Sequence, residues 1–257
     1  MILTLRKKAL VVASTALAFL VAVFPLTPVM GQGTSGFVDL VYQSNSYVPA
    51  FYEGRALPSS DTRVVIVATP FLTLKNGRAA SAKDLVYTWE KNGLVLGAQS
   101  GPGKQTLAIR TNALPGEPVE VGVTVKASDG SSLSRSLVIA PISPVILLYE
   151  NDPLLGVRAE RTANQGFVFT QPEVSLIAYP FYFETLFRNN PILSYTWLLN
   201  GAEVKPKEDS PTEIIMRRGG SSGDSSLRVT ITNPSKVYEV AAGTVPVSFA
   251  ENTQSPF

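Results

Sequence analysis

Two stretches of this chain carry the same nine-residue word: Leu85-Val-Tyr-Thr-Trp-Glu-Lys-Asn-Gly93 returns 108 positions later as Leu193-Ser-Tyr-Thr-Trp-Leu-Leu-Asn-Gly201. A pattern recurring at that distance marks two copies of one folding unit, each of roughly 105 residues and large enough for its own core. Leu, Tyr and Trp fall on alternate positions, the period of a strand with one buried face. Asn-Gly supplies the two positive-φ residues that a tight hairpin turn requires. Tyr87, Trp89, Tyr195 and Trp197 are therefore assigned to cores, and Asn92, Gly93, Asn200 and Gly201 to hairpin turns.

The repeat extends on both sides of this strand. Val38–Tyr42 matches Val145–Tyr149, Val64–Phe71 matches Val174–Phe181, Gln105–Arg110 answers Glu213–Arg218, and Val123–Ser128 answers Val229–Pro234. Val121, Val123 and Val125 alternate with polar or small residues, as do Leu227, Val229 and Ile231. Asp129-Gly130 is a further hairpin signal before a closing strand over 133–139, and the second copy closes over 237–249. Short strands broken by Gly, Pro, Asn and Ser, with no helical apolar stripe, predict an all-β chain of two tandem antiparallel β-sandwiches, residues 37–142 and 143–250. The linker Ala140-Pro-Ile-Ser-Pro144 is short and carries two prolines, which places the sandwiches end to end with little freedom.

Residues 1–31 read as an export segment. Arg6, Lys7 and Lys8 precede an apolar run from Ala9 to Phe24, prolines follow, and Val29-Met-Gly31 offers a small-residue cleavage site. The stretch to Met30 is also long enough, at about 20 apolar residues, to remain as a membrane anchor. Residues 32–36 are a flexible spacer and 251–257 a tail. In either case the body is exported, to the cell envelope or beyond, and touches a membrane only through the N-terminal segment if that is retained.

Three of the 22 Lys+Arg lie in that segment, leaving 19 against 20 Asp+Glu. A nearly neutral body has no electrostatic footprint for nucleic acid. With no cysteine, the sandwiches are held by packing alone; with no histidine, the commonest general base and zinc ligand are missing.

The Tyr-x-Trp-x-x-Asn-Gly strand resembles the third strand of immunoglobulin-like and PKD-type β-sandwich repeats of bacterial surface and secreted proteins, and the likeness spans nearly all of residues 37–250. The whole arrangement is similar to two-domain exported proteins of small-genome, uncultured bacterial lineages. That resemblance implies a cell-envelope setting.

Trp89 and Trp197 in solvent would serve as ligand platforms, but their identical context in both copies argues for core. The segment 179–187 is richer in aromatics than its counterpart in copy one. Alternation places Phe181, Phe183 and Phe187 on one face and Tyr182, Glu184 and Leu186 on the other, and we single out Tyr182 and Phe183 as a partner contact. The alternative is that this edge is covered by its own loops or by the first sandwich. Glu150-Asn-Asp152 carries too few oxygen ligands for calcium and reads as turn chemistry before Pro153. Gly31–Gly36 fits a dinucleotide fingerprint in letters but precedes a strand, and Gly101–Lys104 lacks the outer residues of a phosphate loop. No catalytic residue, metal site or cofactor is assigned. The expectation is a non-catalytic binding, adhesion or structural module whose loops and strand edges meet a protein or glycan. An anchored accessory part of a pilus-like or secretion assembly is one alternative. A carbohydrate-active hydrolase is another, and requires two carboxylates facing across a cleft.

Overall fold

The computed structural model describes residues 36–219 and 223–249. The readings of an export signal or anchor, of all but Gly36 of the spacer, of the middle of the Gly219–Ser225 loop and of the tail lie outside the described residues. Every described residue belongs to one compact unit, Thr34–Phe257. Among the described residues no helix is long and apolar enough to cross a membrane.

The first half folds as β1 (Gly36–Ser44), β2 (Arg63–Leu72), β3 (Val86–Lys91), β4 (Leu94–Val95), β5 (Gly101–Pro102), β6 (Thr106–Arg110), β7 (Val119–Lys126) and β8 (Ser132–Ile139). One sheet runs β1-β2-β6; the other runs β4-β3-β7-β8, with β5 added to β3. The second half supplies β9 (Val145–Asp152), β10 (Gly156–Thr162), β11 (Phe167–Phe169), β12 (Glu173–Phe181), β13 (Ser194–Leu199), β14 (Ala202–Val204), β15 (Glu213–Arg217), β16 (Gly223–Thr232) and β17 (Val240–Phe249). Its sheets are β10-β9-β12-β15 and β11-β17-β16-β13-β14, antiparallel except where β11 runs parallel to β17. This is the tandem immunoglobulin-like sandwich architecture.

Each half has its own apolar core, one drawn from residues between Val38 and Ile139, the other from residues between Ile146 and Val247. Trp89 and Trp197 are sealed inside them, and each indole Nε1–H donates to a carbonyl at 2.9 Å, of Lys104 and Pro211 respectively. Tyr87 is fully buried with its hydroxyl on the Ala82 carbonyl, while Tyr195 is half-buried and donates to the Arg188 carbonyl. The alternating residues of β7 and β16 enter these cores from the facing strands.

Both Asn-Gly turns have positive φ at both positions: 49° and 77° at Asn92-Gly93, 51° and 84° at Asn200-Gly201. The asparagines also clamp their hairpins to a neighbouring strand. Asn92 Oδ1 accepts from the Glu120 amide at 2.9 Å, and Asn200 Oδ1 accepts from the Ser226 amide at 2.8 Å.

Three sequence readings shift. The match of Gln105–Arg110 to Glu213–Arg218 is out of structural register by one residue: Leu107 and Ile109 face the first core, but Ile214 and Met216, rather than Ile215 and Arg217, face the second. The match of Val38–Tyr42 to Val145–Tyr149 is out of structural register by one residue. Val38 faces the first core, yet in β9 it is Ile146 and Leu148 that face the second, leaving Val145 exposed and Tyr149 on the opposite face. A one-residue slip turns every side chain over, so similar letters point opposite ways. The closing strand begins at Val240 rather than Val237, because Asn233 and Glu239 close a loop through main-chain and side-chain hydrogen bonds.

Truncating either indole empties a sealed core site, so Trp89→Ala or Trp197→Ala is expected to lower unfolding free energy by about 3–5 kcal/mol. Urea titration followed by far-ultraviolet circular dichroism measures this.

Candidate functional site

The aromatic segment at the end of β12 is where the two sandwiches meet. Tyr182 has φ of 66°, a left-handed conformation that costs a non-glycine residue roughly 1–2 kcal/mol. It breaks the strand period. Phe181 joins Tyr149, Ile177 and Tyr179 on the outer face of the β9–β12 sheet, whereas Phe183 turns into the core of the second sandwich and is 0% exposed. The assignment of Phe183 to a partner contact is therefore corrected: simple alternation does not survive a left-handed residue. Phe187, placed on the same face by alternation, lies exposed.

Tyr182 is half-buried, and what it contacts is the first sandwich. Its amide donates to the Tyr47 carbonyl at 2.8 Å, and the Tyr47 amide donates to the Phe183 carbonyl at 2.7 Å. Its hydroxyl pairs with that of Tyr52 at 2.9 Å; burial and this neighbour push it up to about 12. Phe51 sets its edge against Tyr149 and Tyr179, each at 5.2 Å, and Tyr52 does so against Phe181 at 5.3 Å. The Arg188 guanidinium lies over Tyr179 at 4.7 Å. The β1–β2 connection of the first sandwich thus covers an apolar sheet face of the second. Edge-to-face pairs of this kind add about 0.5–1.5 kcal/mol each beyond area burial.

Beside the aromatics sits an ionic clamp. Glu184, two residues past Tyr182, accepts from the Arg63 amide at 2.9 Å, from Arg110 Nη2 at 2.6 Å and from Lys236 Nζ. Arg110 Nε also meets Asp61 Oδ1 at 2.5 Å, and Lys236 Nζ donates to the Asp61 carbonyl at 2.9 Å. On the side of the second sandwich, the buried Glu239 carboxylate accepts from the Glu184 amide and from Asn233. Burial works to raise the Glu184 carboxyl, but hydrogen bonds from Lys236, the Arg63 amide and Arg110, with the Lys236 charge, outweigh it and hold it below the usual carboxylate range.

The far end of the second sandwich is open. β9 leaves the linker at Val145 and ends at Asp152, so the β9–β10 turn lies away from the junction. Asp152 Oδ1 accepts from the Leu154 amide at 2.8 Å and the Leu155 amide at 2.9 Å, fixing the turn and holding its own carboxyl low. Leu154 and Leu155 project from it, 92% and 71% exposed. Beside the turn runs a groove of about 480 Å³ lined by Asn151, Pro153, Ser175, Lys207, Glu213 and Ile215 among others. Glu213 is buried and fully engaged: Oε1 accepts from Ser175 and Asn151, and Oε2 from Lys207. Burial works to raise its carboxyl, and these partners bring it below the ordinary range.

Among the described residues there is no cluster of three or more His, Cys, Asp or Glu side chains able to hold a metal, and Asp152 is engaged in its turn. Lys104 of the phosphate-loop fragment donates to the Ala98 carbonyl at 2.7 Å. Sequence reasoning missed the segment that covers this face: Tyr47 and Tyr52, which meet Tyr182, and Phe51, which meets Tyr149 and Tyr179. Its signal was there as three aromatics within six residues of a connection that belongs to no strand.

No protein-family model matches the chain, and no curated protein matches it. Solved structures do. The fibronectin(III)-like modules of CbhA from Clostridium thermocellum are 10% identical, over 84% of this chain and 98% of that one, with a TM-score of 0.27. Immunoglobulin domains 1–4 of Sidekick-1 are 10% identical over 83% and 70%, at 0.25. SGBP-B from the mixed-linkage glucan utilization locus of Bacteroides ovatus, solved with a mixed-linkage heptasaccharide, is 17% identical over 80% and 47%, at 0.23. Likeness this distant carries no argument about activity. The sandwich class stands on the strand order, the two cores and their turns.

Glu184→Gln is expected to weaken the junction by on the order of 2 kcal/mol, since hydrogen bonds to a charged group are lost. Trp89→Phe and Trp197→Phe each leave one fluorophore reporting one sandwich; their urea transitions coincide in the otherwise native chain and separate when Glu184→Gln is added.

The sign of the pH effect follows from a depressed carboxyl. The contribution of Glu184 is complete above the unfolded-chain value and is lost as pH falls through the lower folded value. As pH falls below about 4.5 the native chain therefore loses more stability than Glu184→Gln does, as urea midpoints at each pH will report.

Proposed function

We propose that this chain is an exported, non-catalytic module of a bacterial cell envelope, held at the membrane by its N-terminal apolar segment, with a protein as the partner of its far turn. The observation that carries the reading is the Leu154-Leu155 pair: two adjacent leucines, almost bare, on a turn that Asp152 fixes from within. Isolated exposed leucines are ordinary, but an adjacent pair on a rigid tip adds apolar contact area at little ordering cost. The junction supports the same reading. Edge-to-face aromatic contacts and the ionic clamp keep the second sandwich from swinging about the Ala140–Pro144 linker, which suits a strut that holds its tip at a set distance. A glycan on the same loops is the neighbouring possibility, and apolar leucines suit it less well than flat aromatic rings would.

A carbohydrate-active reading has less support. A general acid needs a raised pKa and a free oxygen. The half-buried Glu184 and the buried Glu213 are held low and have their oxygens engaged.

Photocrosslinking in cells tests the partner reading. A crosslinking residue in place of Leu154 is expected to give a discrete protein adduct, and one in place of the exposed Glu203 none. With the crosslinking residue kept at position 154, Leu155→Ser weakens the adduct while the thermal midpoint stays within the error of the same chain with Leu155, because that side chain is already largely in water. Equal labelling at both positions, or reducing sugar released from polysaccharide by the purified chain, overturns the reading.

A further inference from the structure

The outer faces of the two sandwiches are treated differently. In the second, the face bearing Tyr149, Ile177, Tyr179 and Phe181 lies under the β1–β2 connection. In the first, the corresponding face of β1-β2-β6 is bare. At its end Phe37 and Phe71 sit opposite each other in register, their rings stacked at 4.7 Å and 26°, with 61% and 53% of each residue exposed.

The position of this pair is informative. Phe37 is the second residue of β1, and Phe71 the last but one of β2. The opposite end of the same two strands, at Ser44 and Arg63, is the end that meets the second sandwich, where the Arg63 amide donates to Glu184. The aromatic pair therefore marks the end of the first sandwich remote from the second. In sequence, Phe37 comes seven residues after Met30, which closes the apolar stretch that begins at Ala9. Seven residues span at most about 25 Å, so a stretch retained in a bilayer keeps this end of the sandwich beside the lipid headgroups. Exposed Lys75 and Arg78 follow Phe71 on the next loop, with Lys83 just beyond; Asp39, Asp84 and Asp129 are the acidic groups of the same region.

We propose that Phe37 and Phe71 form a foot that rests in the membrane interface. Aromatic rings are favoured at the headgroup level, where a flat apolar surface meets a polar layer, and basic side chains beside them are drawn to anionic lipid. The pair would set the tilt of the sandwich against the membrane, and the rigid junction would carry that orientation to the far turn. This inference rests on the anchored reading of the N-terminal segment.

The test uses the full chain in vesicles of phosphatidylcholine with or without phosphatidylglycerol, in three forms: native, Phe71→Trp, and Val41→Trp. Val41 lies on the same outward face four residues further along β1, about 13 Å from Phe37. Trp89 and Trp197 are buried and give the background emission, which the native chain records. Lipids brominated near the headgroup are expected to quench the emission added by Phe71→Trp, with deeply brominated lipids quenching it less, and to leave the emission added by Val41→Trp unchanged. Anionic lipid is expected to increase the quenching at position 71.

Extraction of the membranes with alkaline carbonate, with sequencing of the amino terminus, separates the two ways of failing. A chain that washes free or has lost Met1 overturns the anchored reading and the foot with it. A chain that stays, with no quenching at position 71, overturns the foot alone. So does equal quenching at 41 and 71, which describes a sheet lying flat. A blue shift of the added indole without bromine quenching, growing with the protein-to-lipid ratio, means that a second copy covers the pair, and it overturns the foot as well.

Discussion

Each sandwich is organised around one indole that has no contact with water and one polar atom to satisfy. The Trp89 and Trp197 Nε1–H groups both find a main-chain carbonyl on the segment leading into the next strand of the opposing sheet, Lys104 before β6 and Pro211 before β15. The ring fixes the distance between the sheets, and the hydrogen bond fixes which strand crosses it. In a chain with no cysteine, this contact and the valines, leucines and isoleucines around it replace the covalent staple of a disulfide. The Asn-Gly turn that follows each Trp strand then binds its hairpin to the neighbouring strand through the asparagine side chain, so the same nine residues set both the core and its rim.

The two copies differ in the connection between their first two matched strands. Between β9 and β12 the second copy spends the chain on β10 and β11, pairing with its own sheets. Between β1 and β2 the first copy leaves the corresponding stretch without strands and lays Tyr47, Phe51 and Tyr52 on the neighbouring sandwich. One loop position thus closes a sandwich in one case and joins two sandwiches in the other. The junction that results is polar at its rim and aromatic at its centre, and Tyr182 accepts a left-handed backbone to complete it. Strain of that size persists where surrounding contacts over-determine the conformation, here the amides of Tyr47 and Tyr182 and the edge-to-face rings.

Two exposed apolar pairs lie at the two ends of the described body. Phe37 and Phe71 stand at the end of the first sandwich remote from the second, Leu154 and Leu155 at the turn remote from the junction.

Strands, turns and the inward faces of β3, β7, β13 and β16 were legible in the sequence, because a period of two and the backbone demands of Asn-Gly act between residues next to one another. The sites were less so. The register of β9 against β1 could not be read from matching letters, since a shift of one residue leaves composition unchanged and reverses every side chain. Phe183 was misplaced because a single left-handed residue, stabilised from another sandwich, resets the alternation. The clamp of Asp61, Arg110, Glu184 and Lys236, and the meeting of Tyr52 with Tyr182 across 130 positions, leave no local period at all. The amino-acid sequence by itself determined two duplicated sandwiches with buried indoles. Only the tertiary structure decided which apolar faces are covered and which stay bare, because that depends on pairs brought together through space after each sandwich has formed.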